Sequence, residues 1–208
     1  MANPVFILLN GPAGSGKDTA GEMLKYHLRN KEDIVFQLEK FAQPIKDAMR
    51  VMCPVVFKVD SFDDYETSKE AKDRPREDFF GKSSRDLQIA FSEGYIKPLF
   101  GEDIFGKLML RRINENGQYR DDIKHIIAVT DSGFVPEAEV LVNHYGADRI
   151  LLINIERPGY GFSGDSRDYI DLDKHGVTRV TLNNDADERV FEERLIKIVS
   201  DFIEHKFN

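Results

Sequence analysis

Five short apolar runs along the chain predict five strands, over 4–10, 33–39, 125–130, 149–155 and 177–182. Most of these runs are nearly continuous rather than alternating, which is typical of strands that helices cover on both faces. Apolar residues at three- to four-residue spacing predict helices between the runs, including one around 20–28 and one around 190–203. The alternation of strands and helices favours an α/β domain with a doubly wound, mostly parallel five-stranded sheet.

About 85 residues separate the second and third predicted strands, which is too many for one crossover helix. Their spacing predicts helices over 42–52, 61–72, 84–95 and 103–113, the third of which is capped by Ser83 or Ser84. We therefore expect a single domain, 1–208, in which a core of 1–40 and 123–208 carries a helical, substrate-binding insertion over about 41–122. A second irregular stretch, 157–176, is rich in glycine and charge, and we expect it to be a lid.

The sequence GPAGSGKDT at 11–19 joins the first predicted strand to the first predicted helix. Gly11, followed after four residues by Gly16 and Lys17, has the Walker A spacing of a phosphate-binding loop. The glycines let backbone N–H groups turn inward around phosphate oxygens, and the lysine and the helix N-terminus add positive charge. This pattern predicts a P-loop NTPase fold whose nucleotide-binding residues are Gly11, Ala13, Gly14, Ser15, Gly16, Lys17, Asp18 and Thr19.

Asp18 occupies the position at which serine or threonine usually supplies a hydroxyl to Mg²⁺. Two interpretations remain open. In the first, Asp18 binds the metal through water or Thr19 acts as the ligand; in the second, Asp18 is a first-turn acid that the helix dipole favours. Asp131 is a further candidate metal ligand, because ligands of open α/β sheets gather where strands such as the third one end.

Charge and cysteine content narrow the class of partner. The 208 residues include 37 acidic and 29 basic ones, for a net charge of −8. Surfaces that bind nucleic acid or anionic membranes need a basic excess, so we expect neither partner. The single cysteine, Cys53, excludes an internal disulfide and fits a reducing compartment. Since the apolar run near the N-terminus is too short to span a bilayer, we expect a soluble cytoplasmic protein.

Phosphate-binding loops occur in kinases, GTPases, motors and ATPases. The chain contains no guanine-reading NKxD sequence and is small for a motor, which favours a small-molecule kinase. Further motifs follow the loop in order: FAQPIKDAM (41–49), GKSSRDLQIAFSE (81–93), FGEDIF (100–105), VTDSGFVPEAEVL (129–141), INIERPG (153–159) and TLNND (181–185). Together with the loop, and over most of the chain, they resemble the deoxynucleoside monophosphate kinases of bacteriophages, a branch of the nucleoside monophosphate kinase superfamily.

The resemblance implies Mg²⁺-dependent transfer of the γ-phosphoryl group of ATP to a deoxynucleoside 5′-monophosphate, in the host cytoplasm for a phage protein. The residues that it places at the reaction centre are Lys17, Arg85, Asp131, Arg157 and Arg167. Those that it places near the acceptor nucleotide are Phe41, Lys46 and Arg85, and those near the adenine of ATP are Asn183 and Asn184. The partners implied are these two small molecules, and a homodimer is compatible with the sequence.

One position departs from the family's pattern. Related sequences often read Asp-Val-Arg-Phe where this chain has Asp131-Ser132-Gly133-Phe134, so an arginine that would meet a substrate is missing. Lys107, Arg111 and Arg112 are candidate replacements at helical spacing, and Lys107 and Arg111 are therefore expected at the acceptor. Two other functions remain open: a kinase of another phosphate-bearing acceptor, such as dephospho-coenzyme A or phosphomevalonate, and a nucleotide-binding regulatory ATPase without an acceptor.

Overall fold

A computed structural model of the protein describes residues 4–116, 119–120, 122–163 and 167–207. The strands of its sheet are β1 (Val5–Asn10), β2 (Ile34–Glu39), β3 (Lys124–Ser132), β4 (Ile150–Glu156) and β5 (Thr178–Asn183). All neighbouring strands run parallel, in the order β2-β3-β1-β4-β5. The predicted α/β class and parallel five-stranded sheet are confirmed. With β1 at the centre and the phosphate-binding loop at its carboxyl end, this is a P-loop NTPase fold.

Helices cover both faces of the sheet. They are α1 (Lys17–Leu28), α2 (Gln43–Phe57), α3 (Lys69–Asp73), α4 (Ser84–Phe91), α5 (Lys97–Phe100), α6 (Ile104–Asn116), α7 (Val135–Tyr145) and α8 (Glu188–Phe207). Helices α1 and α8 share one buried apolar core with alternate residues of β1, whereas α2, α6 and α7 share the other core with the remaining β1 residues. Burial on both faces explains why the strands read as continuous apolar runs.

Between β2 and β3, the chain forms the helical insertion, α2 to α6. The prediction of one helix over 61–72 is wrong, because the segment forms a 3₁₀ turn at Asp63–Tyr65 and then the separate helix α3. Ser68 starts that helix, since its hydroxyl accepts a hydrogen bond from the Ala71 amide at 3.0 Å. Small polar residues that hydrogen-bond to nearby backbone favour such turns and caps over helix interiors.

The third predicted helix, over 84–95, is α-helical only as far as Phe91. A π-helical segment, Ser92–Ile96, then leads into α5. Ser83 is the residue that caps α4, in a capping box with Asp86. Within the part of the chain that the structure describes, no helix is both long and apolar enough to cross a membrane.

The predicted lid, 157–176, contains a buried portion. Ile170 and Leu172 are buried in the core shared by α2, α6 and α7. The amide of Ile170 donates to Oδ1 of the buried Asn10 at 2.9 Å. The stretch around Ile170 is therefore anchored to the end of β1, whereas residues 164–166 of the predicted lid lie outside the described residues.

Candidate active site

The phosphate-binding loop follows β1 and passes directly into α1. Gly14 has a φ of 84° and Gly16, the residue that precedes the helix, a φ of 111°, so both adopt a backbone conformation that favours glycine. The side-chain amide of Asn184 donates to the Ser15 carbonyl oxygen at 2.8 Å and supports the loop. Backbone N–H groups at such a loop and helix N-terminus form a ready site for an anion.

Lys17 is buried, whereas lysine side chains are mostly exposed in folded proteins. Its ammonium donates to the carbonyl oxygens of Gly11 and Pro12, the second at 2.8 Å. These backbone acceptors keep the ammonium at the loop, where a phosphate oxygen can replace them. Lys17 also lines the large cavity beside the loop.

That cavity, of about 970 Å³, extends from the phosphate-binding loop to the helical insertion. Eight basic and six acidic side chains line it, which is a basic excess in a chain whose net charge is −8. Anionic ligands therefore meet a locally favourable charge. The predicted site residues that the cavity brings together are Ala13, Gly14, Gly16, Lys17, Asp18, Thr19, Phe41, Lys46, Arg85, Asp131, Arg157 and Arg167.

Two predicted acceptor residues lie elsewhere. Lys107 pairs with Asp103 and Arg111 with Glu115, both on an exposed face of α6 and not in the cavity wall. Four-residue spacing on a helix favours such ion pairs in solvent, and this is the physical reason why these two residues do not lie at the acceptor as predicted. The third candidate, Arg112, is held by Glu39 and the Lys40 carbonyl.

The predicted adenine residues and two loop residues also lie outside the cavity wall. Asn184 supports the loop through Ser15, and the carbonyl oxygen of Asn183 accepts a hydrogen bond from Arg194 at 3.0 Å. Gly11 and Ser15 are buried within the loop itself. A side chain at Gly11 would come within 2.6 Å of the Ile155 carbonyl oxygen, so the loop needs glycine there.

Asp18 lies at the cavity between Lys40 and Thr130. Lys40 Nζ donates to Asp18 Oδ1 at 2.6 Å, and the Thr130 hydroxyl donates to the same oxygen at 3.2 Å. Although 72% of the Asp18 side chain is exposed, its neighbours partly desolvate the carboxylate, which opposes ionisation; the hydrogen bond and charge of Lys40 outweigh this and hold the pKa of Asp18 below its ordinary value. Asp18 is therefore an ionised carboxylate at neutral pH.

Asp131 connects the end of β3 to the start of the insertion. Its Oδ1 accepts the Phe41 amide at 2.8 Å, and its Oδ2 accepts the Ala42 amide at 2.9 Å. These bonds position the residues that lead into α2. Each carboxylate oxygen has further lone pairs, so a metal contact by Asp131 is compatible with this geometry and stays a prediction.

A second group of charges lies on the insertion side of the cavity. Lys46 Nζ donates to Glu66 at 3.0 Å, and Glu66 also accepts hydrogen bonds from Ser84 at 2.8 Å and Gln88 at 2.9 Å. Lys72 lines the same wall, where burial and the neighbouring charge of Lys46 lower its pKa. Two lysines near one carboxylate leave this wall short of negative charge, which an anionic group can supply.

Arg85 extends this basic wall. It lies in the first turn of α4, two residues after the capping residue Ser83, and its side chain lines the cavity. Its Nε donates to Asp73, the last residue of α3. Helix α4 thus brings a guanidinium to the same cavity as Lys17, and a guanidinium can bind two oxygens of a phosphate group at once.

Arg157 and Tyr160 cover the phosphate-binding loop. The Arg157 guanidinium donates to the Gly14 carbonyl oxygen at 2.9 Å and lies 4.7 Å from the centroid of the Tyr160 ring. A Cβ at Gly14 would lie 2.6 Å from that ring, so tyrosine and loop are in close contact. The first part of the predicted lid therefore lies against the predicted phosphate-binding loop.

Sequence reasoning misses several residues of the cavity wall, among them Lys40, Lys72, Glu137 and Tyr160. Lys40 carries a usable signal, because it directly follows β2 and the ligands of an open sheet gather at the carboxyl ends of strands. Lys72 and Tyr160 have no such signal in the sequence, since their positions depend on how the insertion and the segment after β4 pack.

Glu137 and Lys97 form a buried charge cluster at the cavity. Lys97 Nζ lies 3.4 Å from Glu137 Oε1, 3.0 Å from Glu93 Oε1 and 3.3 Å from the centroid of the Phe134 ring. Burial raises the pKa of Glu137 to about 8; Lys97 opposes this shift, and the negative charges of Asp131 and Glu93 add to it.

Stability should therefore fall with rising pH through Glu137. From its ordinary value of 4.5 to about 8, the folded state holds a proton on Glu137 that the unfolded chain has lost. The free energy of unfolding then decreases by up to about 1.4 kcal/mol per pH unit in that range. We expect Glu137→Gln to remove this slope in urea titrations from pH 5 to 9. The exposed-residue variant Glu193→Gln should keep it, and an unchanged slope in Glu137→Gln would contradict the assignment.

The sequence matches no protein-family model and no curated protein. Solved structures are similar over nearly the whole chain. A dephospho-CoA kinase from Campylobacter jejuni has 13% identity and a TM-score of 0.47, covering 97% of this chain and 98% of its own. The APS kinase of Mycobacterium tuberculosis in complex with AMPPNP and APS has 12% identity and a TM-score of 0.44, covering 98% and 99%. An unliganded sugar kinase from Janibacter sp. HTCC2649 has 11% identity and a TM-score of 0.44, covering 95% of each chain.

Proposed function

We propose that this protein is a deoxynucleoside monophosphate kinase, which transfers the γ-phosphoryl group of ATP to the acceptor's 5′-phosphate. The observation that carries the proposal is that the phosphate-binding loop and the basic wall of the insertion line one and the same cavity. A donor and an acceptor that both carry phosphate need such adjacent sites. The ordered motifs that resemble the phage enzymes support a deoxynucleotide as the acceptor.

The donor end of the cavity neutralises the triphosphate. The loop amides and the N-terminus of α1 face the β- and γ-phosphates in this proposal, and the Lys17 ammonium moves from its backbone acceptors to the phosphate oxygens. Arg157, which already contacts the loop at Gly14, adds a guanidinium from the lid. These charges stabilise the negative charge spread over the transferring group.

The acceptor end of the cavity holds the monophosphate in line with the γ-phosphorus of ATP. Arg85, Lys46 and Lys72 bind its 5′-phosphate, and one oxygen of that phosphate attacks the γ-phosphorus. The bond from the γ-phosphorus to the bridging β–γ oxygen breaks, and its electron pair leaves with ADP. No covalent enzyme intermediate is needed, so the residues act by positioning and by neutralising charge.

The residues at the loop fit a magnesium ion. Among the described residues, no group of three or more His, Cys, Asp or Glu side chains is placed to hold a metal by itself. Kinases bind Mg²⁺ through one or two carboxylates, waters and the substrate's phosphate oxygens, so a large protein cluster is not required. The ionised Asp18, with Thr19 and Asp131 beside the same cavity, supplies that donor set. When bound, the ion would neutralise phosphate charge.

Replacing Asp18 tests its role toward the metal. If Asp18 holds Mg²⁺ directly or through water, Asp18→Asn should raise the Mg²⁺ concentration needed for half-maximal rate by roughly tenfold, and excess Mg²⁺ should partly restore the rate. A Mg²⁺ titration at saturating ATP measures this. Asp201→Asn, on the exposed face of α8, is the matched control. If Asp18 is only a first-turn acid, its variant will show the wild-type Mg²⁺ requirement and a slightly lower melting temperature.

An acceptor panel separates this function from its alternatives. We expect ADP release, measured in a coupled assay, to depend on added deoxynucleoside monophosphates. Dependence on dephospho-coenzyme A or phosphomevalonate instead would assign a kinase of another acceptor. Equal ADP release with no acceptor would assign an ATPase and overturn the proposal.

A further inference from the structure

Gly133 and Arg167 are in close contact although they are far apart in the sequence. A Cβ atom at position 133 would lie 2.6 Å from Cδ, 2.7 Å from Cγ and 2.9 Å from Cβ of Arg167. Non-bonded carbon atoms pack at about 3.5–4.0 Å. Position 133 can therefore carry no side chain while Arg167 stays where it is.

The backbone does not explain this glycine. Gly133 is not among the glycines with positive φ, so its conformation is one that other residues adopt. The three atoms nearest to the added Cβ all belong to the aliphatic part of Arg167. A new rotamer of Arg167 could move its Cγ and Cδ but not its Cβ, so relief of the contact requires movement of the backbone.

That backbone is held on both sides by one buried side chain, Asn10. Its Nδ2 donates to the Ser132 carbonyl oxygen at 2.8 Å and to the Asp168 carbonyl oxygen at 3.1 Å. Its Oδ1 accepts the Ile170 amide at 2.9 Å. The residue before Gly133 and the residue after Arg167 are thus tied to the same amide group.

We propose that Gly133 is a positioning residue: its missing side chain lets the stem of Arg167 cross the end of β3, and Asn10 fixes it there. Arg167 is then a permanent part of the cavity wall and does not depend on the closing of a lid to reach it. Arg167 thereby brings an arginine side chain to position 133, where related sequences often have an arginine and this chain has glycine. The role of Arg167 in phosphoryl transfer rests on the proposed function, whereas the contact between Gly133 and Arg167 does not.

Two readouts test the proposal. Gly133→Ala should displace Arg167 and lower kcat/KM for phosphoryl transfer by roughly ten- to a hundredfold. It should also speed hydrogen exchange at the Ile170 amide by about tenfold or more, because its bond to Asn10 opens. Gly94→Ala is the matched control, since a Cβ added at Gly94 would have no contact within 4 Å and Gly94 has no positive φ.

The decisive comparison is made in the variant Arg167→Gly, which lacks the aliphatic part of the arginine side chain. In Arg167→Gly, none of the three contacting atoms remains, so adding Gly133→Ala should change neither kcat/KM nor Ile170 exchange further. If Gly133→Ala alone does not fold, the double variant should fold. Wild-type Ile170 exchange in Gly133→Ala, or an equal effect of that substitution in both backgrounds, would overturn the proposal. Exchange needs no activity, so it tests the positioning even if the protein proves to phosphorylate nothing.

Discussion

Lys17→Ala is expected to reduce phosphoryl transfer by at least about a hundredfold, which corresponds to about 3 kcal/mol of lost transition-state stabilisation. In the proposed reaction the Lys17 ammonium, which the carbonyl oxygens of Gly11 and Pro12 hold in the structure, is the charge that the loop supplies to the transferring group. Because Lys17 is buried, its loss removes a buried hydrogen bond from each of these two carbonyl oxygens, of which the Pro12 oxygen keeps the Ser15 amide as a donor at 3.1 Å. We expect a stability loss of about 1–3 kcal/mol for that reason, and urea unfolding measures it separately from turnover.

The matched control for this variant is Lys197→Ala, which removes an exposed lysine paired with Asp201 on α8. It should leave turnover and ATP affinity at wild-type values. If Lys17→Ala folds and turns over at a near wild-type rate, the loop does not act on the transferred phosphate, and the assignment of the donor end is wrong.

Arg85→Lys is expected to lower kcat/KM for the deoxynucleotide acceptor by roughly ten- to a thousandfold, with part of the loss in kcat. A planar guanidinium can hold two phosphate oxygens at once, whereas an ammonium fixes distance without direction. Arg85 is in the first turn of α4, and its Nε bond to Asp73 orients the plane of the guanidinium. The KM for ATP should stay nearly unchanged, because the donor binds at the other end of the cavity.

Kinetics with both substrates decide the role of Arg85. The matched control is Arg189→Lys, an exposed arginine paired with Glu193 four residues along α8, for which a change of less than about twofold is expected. If Arg85→Lys behaves like this control, Arg85 is a surface arginine that pairs with Asp73 and has no part in the site. A loss confined to ATP binding would remove it from the acceptor end.

The sheet and the phosphate-binding loop could be predicted because their signals are local. Strands covered on both faces are continuous apolar runs, and the spacing of Gly11, Gly16 and Lys17 lies within one turn between a strand and a helix. The end of a strand is also a local signal, which is why Asp131 could be placed at the cavity.

Other parts of the site depend on contacts between distant residues, and the sequence does not report them. Helical spacing predicts that Lys107 and Arg111 share a face of α6, but only packing decides that this face meets solvent. The contact between Gly133 and Arg167 joins the end of β3 to the segment after β4, with no pattern in either segment to indicate it. Position in the fold, not residue type, thus separates the arginines at the cavity from those outside it.

Radiolabel transfer tests the central claim most directly. The protein is incubated with ATP labelled in its γ-phosphoryl group and an equimolar mixture of the four common deoxynucleoside monophosphates, and the products are separated by chromatography. The account predicts label in at least one deoxynucleoside diphosphate, strongly reduced in Lys17→Ala and absent when deoxynucleosides replace the monophosphates. Label found only in inorganic phosphate, at the same rate with and without the acceptors, would contradict it.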